Sequence, residues 1–169
     1  MKIKAFTLNS FAKSIEGGNP AAVVFNADEL SENEMKKIAG IIGFSETAYV
    51  MKSNVADFKV RFFTPTNEVD LCGHATVAVY YLLLHLGQIK PRRYTQETKA
   101  GILNVEVKED MSVIMNQTLP YFYETICKEE IADSLNITTA EIEEDLPVQI
   151  VSTGLKDIIV PIKSIDILS

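Results

Sequence analysis

Asp70-Leu71-Cys72-Gly73-His74-Ala75-Thr76 marks the point at which a polar, glycine-broken loop becomes an almost wholly apolar segment. The apolar segment runs from Ala75 to Leu86, and no polar residue repeats in it at helical spacing. It therefore predicts a helix that is buried on every side and ends at Gly87. The start of such a helix leaves the backbone N–H groups near residues 73–76 without partners, and these groups favour an anion. A Cys, a Gly and a His at this entrance indicate a site for a small carboxylate-bearing substrate.

The segments around this predicted helix have the patterns of strands and of one surface helix. Ser31 and Glu34 form a capping-box pattern, so we expect an amphipathic helix over Glu32–Ile42 that ends at Gly43. A mostly antiparallel sheet wrapped around the apolar helix would bury all faces of the helix and alternate faces of the strands, which predicts an α+β fold. The predicted strands cover residues 2–8, 21–25, 47–52, 57–63, 95–98 (as an edge strand), 101–108 and 112–116.

Leu119-Pro120-Tyr121 interrupts the pattern and predicts a boundary between residues 1–118 and 119–169. Beyond it we expect a helix over 127–135, a short helix opened by the capping box of Thr138 and Glu141, and strands over 148–152 and 158–162. These elements are too few to close a second core. The chain is therefore expected to contain one whole domain and the incomplete start of another.

Composition excludes several classes of protein. The net charge of −7 argues against nucleic acid as a partner. Two cysteines do not make a disulfide framework, and the N-terminus lacks the continuous apolar stretch of a signal peptide. The longest apolar run, Val77–Leu84, is too short to span a bilayer. We therefore expect a cytoplasmic protein without a membrane partner.

Glu46 and His74 are the first candidates for chemistry. Glu46 lies between a predicted helix end and a strand, with apolar neighbours, and a carboxylate partly removed from water can act as a general acid or base. The alternative is a solvated turn residue. His74 either contacts a substrate group at the helix start or bonds a nearby carbonyl or carboxylate.

Four further residues around the same entrance have both a functional and a plain interpretation. Cys72 is either a proton-shuttling thiol, with a pKa lowered by the helix N-terminus, or a small buried residue. Gly73 permits close backbone approach to a ligand. Asn19 either binds polar ligand groups or stabilises its turn. Asp70 either orients His74 or caps the helix.

The sequence contains no G-x-G-x-x-G fingerprint, no P-loop and no G-x-S-x-G elbow. Two histidines and two cysteines, well separated along the chain, form no metal-ligand cluster of usual spacing. We therefore expect chemistry that uses side chains alone, with no metal and no cofactor.

Five ordered motifs resemble the PhzF-like (phenazine biosynthesis) isomerase family. They are Gly18-Asn19-Pro20-Ala21-Ala22-Val23, Ser45-Glu46-Thr47-Ala48, Arg61-Phe62-Phe63-Thr64-Pro65, Glu68 to Thr76, and Ser152-Thr153-Gly154-Leu155 with Val160-Pro161.

The resemblance implies the diaminopimelate-epimerase fold, in which two similar domains each wrap a sheet around a central helix and the active site lies in the cleft between them. It implies a cofactor-independent proton shift on a small carboxylated metabolite. By this resemblance Glu46 matches the acid/base carboxylate, and Gly73 and His74 match substrate-binding positions. The candidate substrate-binding set around Glu46 is Asn19, Ser45, Asp70, Cys72, Gly73, His74 and Ala75.

The chain departs from the family because the later segment resembling Asp-Pro-x-Thr-Gly-Ser-Ala, which carries the second half of the active site, is not found. A truncated isomerase is therefore one interpretation. The alternative is a non-catalytic or split-enzyme fragment that acts by association, as a homodimer or with a complementing chain. A hot-dog protein that binds acyl thioesters also wraps a sheet around a helix, but it does not predict the Ser-Glu-Thr and Cys-Gly-His-Ala motifs.

Overall fold

The computed structural model describes residues 2–14 and 16–168. They divide into two compact units, the first of which ends at Asn116 and the second of which begins at Gln117. The elements of the first unit, in chain order, are β1 (Ala5–Ser10), β2 (Asn19–Val24), α1 (Glu32–Ile42), β3 (Thr47–Met51), β4 (Phe58–Phe63), β5 (Glu68–Val69), α2 (Gly73–His85), β6 (Arg92–Thr98), β7 (Gly101–Val107) and β8 (Val113–Met115).

The first unit is built on one sheet, in which the strands follow the order β1-β2-β3-β4-β6-β7-β8 and the short β5 pairs with β4. The pairs β2–β3 and β4–β6 are parallel, and the other pairs are antiparallel. The prediction of an edge strand at 95–98 is wrong. β6 lies between β4 and β7. Its position in the sheet depends on pairing with β4, a strand that is distant in sequence, which the pattern of residues 95–98 alone does not reveal.

Helix α1 has both of its predicted ends. The backbone N–H of Ser31 donates to the Glu34 carboxylate at 2.9 Å, and the N–H of Glu34 donates to the Ser31 hydroxyl at 3.4 Å. Gly43 ends the helix with φ 75°, a left-handed conformation that glycine adopts without steric cost, and its N–H donates to the carbonyl of Ala39 at 2.9 Å. These local signals define the segment that leads directly into Glu46.

The sheet is covered by α2 on one face and by α1 on the other. Alternate residues of the central strands therefore enter two different apolar clusters. On β3, for example, Ala48 and Val50 pack with α2, whereas Tyr49 packs with α1. This burial on both faces explains why β2 and β3 are continuously apolar rather than alternating.

The prediction that α2 is buried on every side is wrong for one stripe of the helix. Tyr81 is 40% exposed, His85 is exposed and Val77 is half-buried. The reason is that the sheet stays open, because its edge strands β1 and β8 do not pair with each other in the described chain. A groove of about 600 Å³ lies between these edges and exposes that stripe.

The second unit contains a three-stranded antiparallel sheet in the order β11-β10-β9. The sequence patterns did not predict β9. The unit's buried cluster combines Ile131 and Ala132 of the helix with Ile142 and Val148. Within the described residues, no helix is long and apolar enough to cross a membrane. The elements are β9 (Tyr121–Thr125), α3 (Lys128–Leu135), a 3-10 helix (Thr139–Glu141), β10 (Gln149–Ser152), β11 (Lys156–Ile159) and a 3-10 helix (Ile165–Leu168).

Candidate active site

The entrance of α2 is organised by Cys72, which immediately precedes the helix with an extended backbone. Its carbonyl accepts the backbone N–H of Thr76 at 3.0 Å and the Thr76 hydroxyl at 2.8 Å. The helix therefore begins at Gly73, before the apolar segment that was used to predict it. Because Thr76 uses its N–H inside the helix, the N–H groups at the entrance that lack an intrahelical partner are those of Gly73, His74 and Ala75.

Two side chains from distant strands hold this entrance against the sheet. Gln96 on β6 is fully buried, and its amide donates to the hydroxyl of Thr76 at 3.3 Å. Ser10, the last residue of β1, donates its hydroxyl to the carbonyl of His74 at 2.7 Å. Neither residue was among the sequence candidates. Their positions depend on strand pairing across many residues, which no local pattern reveals.

Glu46 reaches the same end of the sheet because of the strand register. It directly precedes Thr47, the first residue of β3, which lies level with Ala22 on the parallel strand β2. Asn19 begins β2 and pairs with Ser10, the residue that holds the helix entrance. The starts of two parallel strands therefore face the start of α2.

The side chains of Glu46, Cys72 and His74 form one cluster, which we call the entrance cluster. The Nε2 atom of His74 lies 3.6 Å from Oε2 of Glu46, and Nδ1 of His74 lies 3.3 Å from Sγ of Cys72. The side chains of His74 and Glu46 are 11% and 20% exposed, respectively, and Cys72 is buried. The carboxylate is therefore mostly shielded from water but still open to a ligand.

The imidazole of His74 is not fully satisfied by the protein. Its Nε2 atom is buried and makes no hydrogen bond within the described residues. The 3.6 Å contact with Glu46 is longer than a hydrogen bond. A buried polar atom of this kind needs an explanation, and a ligand atom placed within hydrogen-bond distance of both side chains would supply the missing partner.

The thiol of Cys72 differs from the sequence prediction. Burial raises the pKa of Cys72 to about 12, and the nearby Glu46 carboxylate acts in the same direction. The N–H groups of Ala75 and His74 lower the pKa by less than these effects raise it. The prediction of a thiol activated by the helix N-terminus is therefore wrong, because loss of hydration outweighs the helix in this position.

Asp70 also departs from its two predicted roles. Its carboxylate lies 3.1 Å from Nζ of Lys99, and its carbonyl accepts the N–H of Ala100 at 3.2 Å. The residue at the helix cap is Cys72, which makes no side-chain capping bond. Asp70 therefore fastens the loop to the β6–β7 turn instead of capping α2 or orienting His74.

The remaining candidates surround the entrance cluster. Gly73 and Ala75 provide entrance N–H groups, and Ser45 is exposed beside Glu46. A Cβ built at Gly73 would meet only Sδ of Met115, at the ordinary contact distance of 3.8 Å. The protein itself therefore does not require glycine there, which leaves close approach by a ligand as a reason for it. A binding role for Asn19, Ser45 and Asp70 stays a prediction.

The fold also collects metal-ligand types that are far apart in sequence. One donor atom from each of Glu46, Cys72 and His74 lies within 4.8 Å of the others, and among the described residues this is the group of three that could hold an ion. The prediction of no metal cluster used spacing along the chain. It did not anticipate that Glu46 would meet the Cys72-Gly73-His74 segment.

Residues 8–169 match the model of the phenazine biosynthesis-like protein family. The chain belongs to this family. It is 42% identical over 162 residues to the uncharacterized isomerase YfhB of Bacillus subtilis, covering 93% of this chain and 55% of that protein. It is 35% identical over 169 residues to the uncharacterized isomerase YddE of Escherichia coli K12, covering 96% of this chain and 57% of YddE.

Solved structures confirm the predicted fold class. A PhzF-family phenazine biosynthesis protein of Bacillus anthracis superposes with a TM-score of 0.88 at 40% identity, covering 99% of this chain and 58% of that one. A hydroxyproline epimerase of Agrobacterium vitis, at 11% identity and a TM-score of 0.60, shares the fold alone. The chain is thus an α+β, diaminopimelate-epimerase-like member of the phenazine biosynthesis-like family. It spans less than three-fifths of these longer family members.

Proposed function

We propose that this chain carries the proton-transferring carboxylate and the carboxylate-binding entrance of a cofactor-independent isomerase or epimerase. The observation that carries the proposal is the 3.6 Å contact between Glu46 and His74 at the start of α2. It joins a possible proton acceptor to the N–H groups that favour an anion. Membership of a family whose members include proteins named isomerases supports the same reaction class.

The proposed substrate is a small carboxylate with a C–H bond that its own carboxyl or an adjoining unsaturated group acidifies. Its carboxylate oxygens accept hydrogen bonds from the N–H groups of Gly73, His74 and Ala75. These donors are fixed before the reaction, so they stabilise the negative charge that develops on the substrate when a proton leaves carbon.

The proposed reaction moves one proton and changes no oxidation state. Glu46 takes the proton, the C–H bond breaks, and its electron pair enters an enolate-like system that the entrance N–H groups stabilise. Glu46 then returns the proton to another carbon on the same face of the substrate. The carboxylate is thereby regenerated, and the product is an isomer of the substrate.

Solvent-deuterium exchange tests this proposal. The chain is incubated in deuterium oxide with a panel of amino, hydroxy and unsaturated cyclic carboxylic acids, and the loss of C–H signals is followed by proton NMR. We expect exchange with at least one member of the panel. Glu46→Gln should lower its rate by at least about a hundredfold, because the variant cannot accept the proton.

The matched control is Glu29→Gln, which makes the same change at an exposed glutamate. It should exchange at the wild-type rate. Exchange that persists in Glu46→Gln would contradict the role of Glu46. A wild-type chain that exchanges no member of the panel would contradict the activity of this chain.

The proposed cellular setting is the cytoplasm. Cys72 is buried and Cys127 is exposed, and both are free thiols. An exposed free thiol fits a reducing compartment better than an oxidising one.

A further inference from the structure

The entrance cluster has the spacing of a metal site as well as that of a proton-transfer site. The Sγ–Nδ1 distance between Cys72 and His74 is 3.3 Å, and the Nε2–Oε2 distance between His74 and Glu46 is 3.6 Å. A tetrahedral zinc ion with bonds of about 2.0–2.3 Å separates neighbouring ligand atoms by about 3.3–3.8 Å. These two distances involve different nitrogens of the His74 ring. With one donor atom from each residue, the three atoms lie within 4.8 Å of one another, so a rotation of the His74 side chain is needed to close the shell around one ion.

The chemistry of the three donors selects the kind of ion. A thiolate, an imidazole and a carboxylate are the ligands of zinc and of cadmium, whereas magnesium and calcium require oxygen ligands. Binding of a divalent cation would release the Cys72 proton to solvent, and the ion would balance the resulting thiolate and the Glu46 carboxylate. A bond to Nε2 of His74 would also supply a partner for this buried nitrogen, which makes no hydrogen bond within the described residues.

We propose that Glu46, Cys72 and His74 bind one Zn²⁺ ion, and that this ion inhibits the protein by occupying the carboxylate of Glu46. Three protein ligands leave a fourth position open to water or to a substrate carboxylate. The binding of the ion stands on the geometry of the cluster alone. The inhibition rests on the proposed function of Glu46.

Residues outside the cluster provide matched controls. Cys127 is exposed and its thiol donates to Glu129 at 2.7 Å. His85 is exposed and its ring stacks on Tyr81 with centroids 6.1 Å apart. Each is the second example of its residue type in the chain, and neither belongs to the group of three donors found among the described residues.

Binding is measured with the metal ions alone, without any substrate. Isothermal titration calorimetry of the full chain with Zn²⁺ should show one ion bound, and Cd²⁺ should produce the ultraviolet absorption band of a cadmium–thiolate bond. Cys127→Ser and His85→Gln should leave both signals unchanged. Cys72→Ala should abolish the cadmium–thiolate band, and Cys72→Ala and His74→Gln should each weaken zinc binding at least about tenfold.

Glu46→Gln keeps the size of a partly exposed side chain, so a loss of zinc binding in this variant is not explained by misfolding. Circular dichroism verifies the fold of each variant. Glu46→Gln should also weaken zinc binding at least about tenfold. The proposal is overturned if the wild-type chain binds no zinc. It is also overturned if the cadmium band survives in Cys72→Ala, or if it disappears in Cys127→Ser.

The inhibitory part is tested with the deuterium-exchange assay. Zinc at saturation should slow exchange by at least about tenfold in the wild type and equally in Cys127→Ser. Unchanged exchange in the zinc-saturated wild type would overturn inhibition through Glu46. Absence of exchange without metal would defeat the proposed function, whereas calorimetry would still decide the metal site.

Discussion

Cys72 illustrates how a residue's surroundings can reverse the chemistry predicted from its position in the sequence. A cysteine before a helix is a candidate for a reactive thiolate, but burial raises the pKa of Cys72 to about 12. At neutral pH the thiol is therefore protonated, while Glu46, 20% exposed, keeps access to solvent and ligand. Of these two side chains, the carboxylate of Glu46 is therefore the better candidate for proton transfer.

Alkylation kinetics test the protected state of Cys72. In a Cys127→Ser variant, we expect iodoacetamide at pH 8 to label folded Cys72 at least about a hundredfold more slowly than the urea-unfolded chain, whose thiol has a pKa of about 8.5. Because the folded pKa is raised, labelling should still accelerate with pH between 9 and 11. Equal rates in both states, or a plateau near pH 9, would contradict this assignment.

Substitution of Gly73 should change ligand affinity much more than it changes the free energy of unfolding. In Gly73→Ala the new Cβ meets only Met115 at 3.8 Å, so the free energy of unfolding should change by less than about 1 kcal/mol. The added methyl group lies beside the entrance N–H groups, so the affinity for an exchanging carboxylate should fall at least about tenfold. Denaturation and NMR titration measure the two effects.

The control for this substitution is Gly40→Ala in α1, where a Cβ would also meet only one side-chain atom, at 3.9 Å. It should leave ligand affinity unchanged. An affinity in Gly73→Ala equal to that of this control would show that the ligand does not approach Gly73.

At the scale of elements, the start of α2 depends on a hydrogen-bond chain from the sheet. Thr76→Val removes the hydroxyl that accepts from Gln96 and donates to the Cys72 carbonyl. It leaves a buried amide donor unpaired, so we expect a loss of about 1–3 kcal/mol in the free energy of unfolding, measured by urea denaturation.

Thr7→Val on β1 is the matched control, because Thr7 is exposed. Its effect should stay within about 0.5 kcal/mol. Equal effects of the two substitutions would show that the buried chain contributes nothing to the helix entrance.

The elements also show which signals can be read locally. The span of α1 follows from Ser31, Glu34 and Gly43, which act within one turn of the helix ends. The central position of β6 and the path from Gln96 to Cys72 do not follow from any short segment, since strand pairing selects them. The contact between Glu46 and His74 also depends on distant segments coming together. The sequence analysis related these two residues only through the family resemblance.

At the scale of the whole molecule, the second unit exposes apolar side chains on its small sheet. Phe122 on β9 is 61% exposed and Ile158 on β11 is 50% exposed. Exposed apolar surface and open sheet edges favour association with another chain. This supports the proposal of a homodimer or of a complementing chain.

Sedimentation velocity tests this association. We expect the 169-residue chain to associate at micromolar concentrations, and Phe122→Ser with Ile158→Ser to shift it toward monomer at least about tenfold in dissociation constant. Ile41→Ser, at a 76% exposed position of α1, is the control and should leave the distribution unchanged. A strictly monomeric wild type would contradict the formation of a homodimer.

The proposed function requires that Glu46 and the entrance of α2 act on the same ligand. A crystal structure of Glu46→Gln with a carboxylate that the wild type exchanges is the decisive test. The ligand's carboxylate should accept hydrogen bonds from Gly73, His74 or Ala75, with its exchanging carbon within about 3.5 Å of the side chain at position 46. A ligand bound elsewhere, or bound at the entrance with its exchanging carbon turned away from position 46, would contradict the account.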